Sequence, residues 1–273
     1  MSRRLATCVL TALALAAAGG GAGAGGAPDE VKLTVTDDFG SRTVLDKPNA
    51  EVRGDDTVMR LLQRNAKVQT RYGGGFVQSI GDLRGGREGG RPQDWFYFVN
   101  GVLADKGAAA VDVNGGDRIW WDRHDWGTAN RIPAVVGSYP EPFLNGLDGE
   151  RLPTRLECDE GVAAACDAIV KKMADLGIVA GKSRLGTEQG KEQLRILVGR
   201  WPAIRGDRAA EQLEQGPKSS GVFARIAPDG KTITALDPQG RAVRRIGAGS
   251  GLVAATRFRD ENLVWIGTGT DAA

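Results

Sequence analysis

The chain has 273 residues, with 36 basic and 34 acidic side chains, one histidine, three cysteines and six tryptophans. A formal charge of +2 gives no general attraction for nucleic acid or an anionic membrane, so neither partner is favoured. With a single histidine, any Ser-His-Asp or Cys-His catalytic site would have to use His124.

Arg3 and Arg4 precede an apolar run over residues 5–18. Ala16, Ala17 and Ala18, or Ala22, Gly23 and Ala24, then offer a small-residue cleavage site. Residues 1–27 therefore read as a secretory signal peptide, too short and too glycine-flanked for a spanning helix. The arginine pair also fits the twin-arginine route, with ordinary export the expectation. Removing this segment takes away two basic residues and no acidic one, leaving 34 of each and a net charge of 0. No later run is apolar enough to cross a bilayer, so an exported chain without membrane insertion is expected.

Residues 28–127 read as a domain of short strands with one helix. VKLTVT (31–36) alternates apolar and polar residues as a half-buried strand does, and RTVLDKPNAEV follows as a second, irregular strand. In GDDTVMRLLQRN (54–65), Val58, Leu61 and Leu62 share a helical stripe behind Asp55 or Asp56 as N-cap, which predicts a helix over about residues 56–65. VQTRYGGGFVQSIGDL is a strand, a glycine break and another strand, and GGREGGRP (85–92) reads as a mobile loop. DWFYFVNGVLA runs a strand into Asn100 and Gly101, a strong hairpin-turn signal, and NGGDRIWWD is the closing strand. The order predicts an α+β fold, one helix lying across a mixed sheet of four or five strands.

Residues 94–126 hold four of the six tryptophans and the histidine. Strand alternation puts Trp95, Tyr97 and Val99 on one face and Phe96 and Phe98 on the other. In the closing strand Ile119 and Trp121 share a face, opposite Trp120, Asp122 and His124. One helix covers one face, so the second aromatic set must meet the linker, the second domain, a partner or a ligand. Packing under the linker and a surface for a flat ligand both stay open. Tyr72 and Phe76, flanking Gly74, join Trp95, Tyr97, Trp120, His124 and Trp126 as candidate ligand-binding residues, because bare glycine backbone allows close approach. Asp122, Arg123 and Asp125 around His124 read as an exposed strand end with ordinary ion pairs. Imidazole is nonetheless a good cobalt ligand.

TVMRLLQR, FVQSIGDL and DWFYFVNGVLADKGAAAVDVNGGDRIWW together resemble the small β-grasp domain at the C-terminus of the vitamin B12 carrier transcobalamin, which bacterial secreted proteins also carry as a domain of unknown function. Val99, Asn100 and Gly101, the stretch 104–107, and Gly116 with Asp117 carry the resemblance most specifically, over about residues 30–126. It implies a β-grasp fold. In the carrier that domain closes over cobalamin held by a helical toroid, so a bulky planar cofactor such as cobalamin is also implied, although nothing here resembles the toroid.

The segment 128–148 is rich in Pro, Gly and Asn and reads as a linker, with AVV and PFL packing on a domain. Residues 149–273 predict a second α+β domain. TRLEC and QLRILVGRW are strands, VAAACDAIVKKMADLG and DRAAEQLEQG helices, followed by a meander and a hairpin. Cys158 and Cys166 are expected to form a disulfide, as in exported proteins. GIVAGKS (177–183) has three residues between its glycines and follows a helix, which rejects it as a phosphate loop. No G-x-S-x-G elbow or paired carboxylates stand out, so no catalytic residue and no metal site is expected. The expectation is a non-catalytic exported protein that binds a planar ligand, in contact with a membrane transporter or surface protein. The alternative is a cell-surface interaction module without a small ligand.

Overall fold

The computed structural model describes residues 30–187 and 192–271; residues 1–27, expected from the sequence to be a signal peptide, lie outside the described residues. The first half runs β1 (Glu30–Asp37), β2 (Arg42–Glu51), α1 (Val58–Asn65), β3 (Val68–Arg71), β4 (Phe76–Ile80), β5 (Leu83–Arg84), β6 (Gly86–Glu88), β7 (Arg91–Val99), β8 (Val102–Leu103) and β9 (Arg118–Asp125). Its main sheet has the order β2-β1-β9-β7-β6, with β8 also on β7, while β3, β4 and β5 form a separate small sheet. β1 and β9 run parallel and the other pairs of the main sheet antiparallel. One α-helix on this mixed sheet is the β-grasp arrangement.

The sheet is six-stranded, wider than the sequence predicts, because GGREGGRP is not a loop. Gly86 pairs with Gln93, Arg87 with Pro92 and Glu88 with Arg91. That leaves Gly89 and Gly90 as a two-residue turn, with φ of 56° and 82°. Glycine takes two successive positive φ values at no steric cost, which is what such hairpins require. Asn100 (φ 51°) and Gly101 (φ 79°) make the same kind of turn between β7 and β8.

In α1 the N-cap is Thr57, whose hydroxyl accepts from the Arg60 backbone N–H at 3.3 Å. Neither Asp55 nor Asp56 takes that place. The Asp56 carboxylate is buried instead, accepting from the Arg53 N–H at 2.7 Å and pairing with the Arg64 guanidinium. Val58, Leu61 and Leu62 are fully buried as their stripe requires, packed on a core that includes Leu33, Val35, Trp95 and Trp121.

The second half holds β10 (Thr154–Cys158), α2 (Ala163–Asp175), β11 (Ala180–Arg184), β12 (Leu194–Val198), α3 (Trp201–Ile204), α4 (Arg208–Gln215), α5 (Pro217–Ser220), β13 (Ala224–Ile226), β14 (Ile233–Leu236), β15 (Ala242–Ile246), β16 (Gly251–Thr256) and β17 (Val264–Gly269). Its larger sheet, β11-β10-β12-β17-β16, is parallel except for the β16–β17 hairpin, and β13 to β15 form the expected meander. GIVAGKS runs into the edge strand β11. Asp207 caps α4 through the Ala209 and Ala210 N–H groups, and Gly216 (φ 86°) ends it.

The disulfide joins Cys158, the last residue of β10, to Cys166 in the first turn of α2, with Cα atoms 6.4 Å apart. Beside it, Asp159 accepts from Arg200 at 2.7 and 3.1 Å, and these bonds hold its carboxyl at about 2, below the ordinary 3.8. The folded state thus favours the carboxylate. Its contribution is full above the ordinary value and is lost as pH falls through about 2. Arg200→Gln should therefore move the acid-unfolding midpoint, followed by circular dichroism, to higher pH. In urea unfolding, Leu61→Ala should cost about 2–5 kcal/mol through its cavity. Reducing the disulfide should cost about 2–3 kcal/mol by freeing the unfolded chain.

Candidate functional site

The face of the main sheet turned away from α1 carries the site. Lys32, Thr34 and Thr36 of β1 stand in register with Arg118, Trp120 and Asp122 of β9, while Phe98 and Phe96 of β7 stand opposite Trp120 and Asp122. Over this face lie the segment 127–149 and parts of the second half, enclosing a cavity of about 510 Å³. Phe98, Trp120 and His124 form its floor, Phe39 closes one end, and Val136, Phe223 and Val253 stand over it.

His124 is 3% exposed and its ring lies between two others, 4.6 Å from Phe39 and 4.4 Å from Phe96. Its Nδ1 is 2.8 Å from Asp122 Oδ2. Asp122, wholly buried, also accepts from the Thr36 hydroxyl at 2.5 Å and from the Phe39 and Gly40 N–H groups at 3.2 and 3.1 Å. A carboxylate used as acceptor on every side assigns a proton to Nδ1. Nε2 has no partner among the described residues and is the ring's remaining polar atom at the cavity. Trp120 Nε1 donates to Thr36 Oγ1 at 2.7 Å, and the Trp120 ring stacks on Phe98 at 4.9 Å. The loop carrying Phe39 has φ of 56° at both Asp38 and Phe39. A non-glycine pair in this region is strained and is held by the two N–H bonds to Asp122.

The residues that carry the family resemblance fasten the cover. Asn100, fully buried, donates to Asp117 Oδ1 at 2.7 Å and to the Gly146 carbonyl at 2.9 Å, and accepts from the Arg118 N–H at 2.8 Å. Burial pushes the Asp117 carboxyl above its usual range, opposed by the Asn114 and Asn100 donors. A Cβ on Gly101 would sit 2.9 Å from the Val135 carbonyl oxygen and from Ser138 Cβ, so glycine lets the covering segment cross the turn. Arg118 Nη1 donates to the Ser138 and Tyr139 carbonyls at 3.2 and 3.0 Å.

Of the eight candidate ligand residues, Trp120 and His124 line this cavity and the other six do not. Trp95 and Tyr97 are buried on the opposite face, in the core under α1, where the Tyr97 hydroxyl donates to the Lys106 carbonyl at 2.6 Å and burial pushes the phenol up. Tyr72 and Phe76 pair edge-to-face at 6.4 Å around the turn holding Gly74, and Tyr72 is exposed. Trp126 is part-exposed, its Nε1 donating to Asp94 Oδ2 at 2.9 Å. The surroundings of His124 are a correction: Asp122, Arg123 and Asp125 are buried, not an exposed strand end. Arg123 is satisfied there by Asp37 at 2.6 Å, Glu88 at 2.8 Å and the Arg84 carbonyl at 2.9 Å. Phe98 was readable from strand alternation. Phe39, Phe223 and Val253 carry no local signal, because they reach the cavity only through long-range packing.

Residues 55–125 match the model of a domain of unknown function, DUF4430. The match runs from just before α1 to the end of β9 and leaves out β1, the strand between β9 and β2. No curated protein and no solved structure matches the chain.

The two faces make a testable contrast. Trp95→Ala should lower stability by about 3–5 kcal/mol, as for a large core side chain. Trp120→Ala should cost clearly less in the same urea titration, since part of its ring faces the open cavity.

Proposed function

We propose that this is an exported, non-catalytic ligand-binding protein whose cleft, between the outer sheet face and the second half, takes a small and largely apolar molecule against Trp120 and Phe98. The observation that carries the reading is the concave cavity itself. Its 510 Å³ falls within the range of about 300–1,000 Å³ of small-molecule sites, and apolar walls with a few placed polar groups are what such sites have. A concave cleft also favours a ligand over the flat patch that a protein-interaction module would present. Thr34, a hydroxyl residue of the lining, stands level with Trp120 and not with His124, which supports binding over acyl transfer. The disulfide supports export, as does the leader-like start of the chain, and no helix among the described residues is long and apolar enough to cross a membrane.

The β-grasp arrangement and the family match support the resemblance to the transcobalamin domain. Cobalamin itself fits this cleft less well than a smaller molecule does. Both faces of His124 are covered by aromatic rings, so a corrin ring would have to displace Phe39 to reach Nε2.

Titration of tryptophan fluorescence with 8-anilinonaphthalene-1-sulfonate and with hydroxocobalamin tests the reading. The naphthalene probe should saturate one site. Val253→Trp, which narrows the cleft from an exposed position, should abolish that binding and leave the melting temperature unchanged. No saturable binding, or binding indifferent to Val253→Trp, would overturn the cleft as the site. Saturable cobalamin binding lost in His124→Ala would restore the corrinoid as ligand.

A further inference from the structure

The cleft has a length and a polarity, and together they define a class of ligand. It follows β9 from Arg118 to His124, six residue steps, which at the rise of a β-strand is about 20 Å. A volume of about 510 Å³ spread along that length makes the cleft elongated rather than round. An elongated apolar groove suits a chain-shaped molecule lying along the strand. Exposed Val136 and Val253 flank the opening, so an apolar chain meets apolar lips as well as an aromatic floor.

The two ends differ in charge. At one end Lys32 and Arg118 are register partners on neighbouring strands. Arg118 spends one nitrogen on two backbone carbonyls and makes no ion pair among the described residues, which leaves Nη2 and Nε for an anion. Lys32 is held only loosely, 3.8 Å from the half-exposed Asp46. Two other acids lie near this end. Glu141, within electrostatic reach of Arg118, is buried and bound by the Asn145 backbone and side-chain N–H groups at 2.8 and 2.7 Å. Asp117 is buried and bound by Asn100 and Asn114. The far end offers different chemistry, an imidazole already paired with the buried Asp122 and stacked under Phe39.

We infer that the cleft binds an elongated amphipathic carboxylate, its head group on Arg118 and Lys32 and its chain running over Phe98 and Trp120 toward His124. The guanidinium presents paired donors matched to a carboxylate, and the strand beneath sets the chain length. This rests on the ligand-binding reading above and assigns its ligand class.

The test uses the full chain and three probes below their solubility and aggregation limits: hexadecanoate, hexadecanol and octanoate, followed by tryptophan fluorescence. Hexadecanoate should bind at one site, at least tenfold tighter than either of the others. Arg118→Gln should remove that advantage over the alcohol, and Arg118→Lys should restore most of it. Because Arg118 also holds the covering segment, Lys32→Glu on the exposed rim serves as a second variant. It should weaken hexadecanoate several-fold and leave hexadecanol unchanged. Equal affinity for acid and alcohol, or an acid affinity indifferent to both variants, would overturn the inference. If the naphthalene probe saturates the cleft and hexadecanoate does not, this inference falls and the ligand-binding reading stands. If neither binds, both fall.

Discussion

A strand in the middle of a sheet shows half its side chains to each side, and β9 carries large or polar groups on both. Ile119, Trp121 and Arg123 face α1, whereas Trp120, Asp122 and His124 face away from it. Neither set can be left in water at no cost, so the sheet needs two covers. The short helix α1 supplies one. The other must come from elsewhere in the chain, and the fold of the segment 127–149 and its seat under the second half answer that need.

The second cover is tied down by polar contacts more than by bulk. Asn100 and Asp117 bind each other, the Gly146 carbonyl and the start of β9, while Arg118 holds the Ser138 and Tyr139 carbonyls. Buried polar groups are tolerated when every partner is present, and a fully satisfied network fixes one geometry. These contacts hold the cover at one height above the sheet. The space beneath it stays open because the residues on top, Val253, Ala254 and Ala255 among them, are too small to reach the aromatic floor.

The same logic explains the charged end of β9. Asp122, Arg123, His124 and Asp125 form four polar residues in a row, and that pattern on its own describes a solvated strand end. In the fold Asp122 and Arg123 find partners from distant segments: the loop after β1, the Arg84 carbonyl, Asp37 and Glu88. His124 bonds Asp122, and Asp125 accepts from the Gly127 N–H just after β9. Burial of charge follows from pairing, and the pairs of Asp122 with Thr36 and of Arg123 with Asp37 and Glu88 are 35 to 86 residues apart. No local pattern carries that information.

Much was legible from local chemistry. The alternation 31–36, the stripe of Val58, Leu61 and Leu62, the Asn100–Gly101 turn, the helix ends at Gly177 and Gly216 and the Cys158–Cys166 pairing all depend on residues a few positions apart, where backbone geometry alone sets the outcome. The alternation along β7 and β9 likewise determined which aromatics share a face. Where the sequence reading departed from the structure, a neighbour in space decided. Gly89 and Gly90 make a turn because the strands beside them pair, and Asp56 leaves its capping role because Arg64 claims it. Which aromatic face became core and which became a cleft was decided only by tertiary structure, since Phe39, Phe223 and Val253 come from three separate parts of the chain and meet over one sheet. Strand alternation sorts side chains into two faces, but what covers each face depends on packing between residues far apart in sequence.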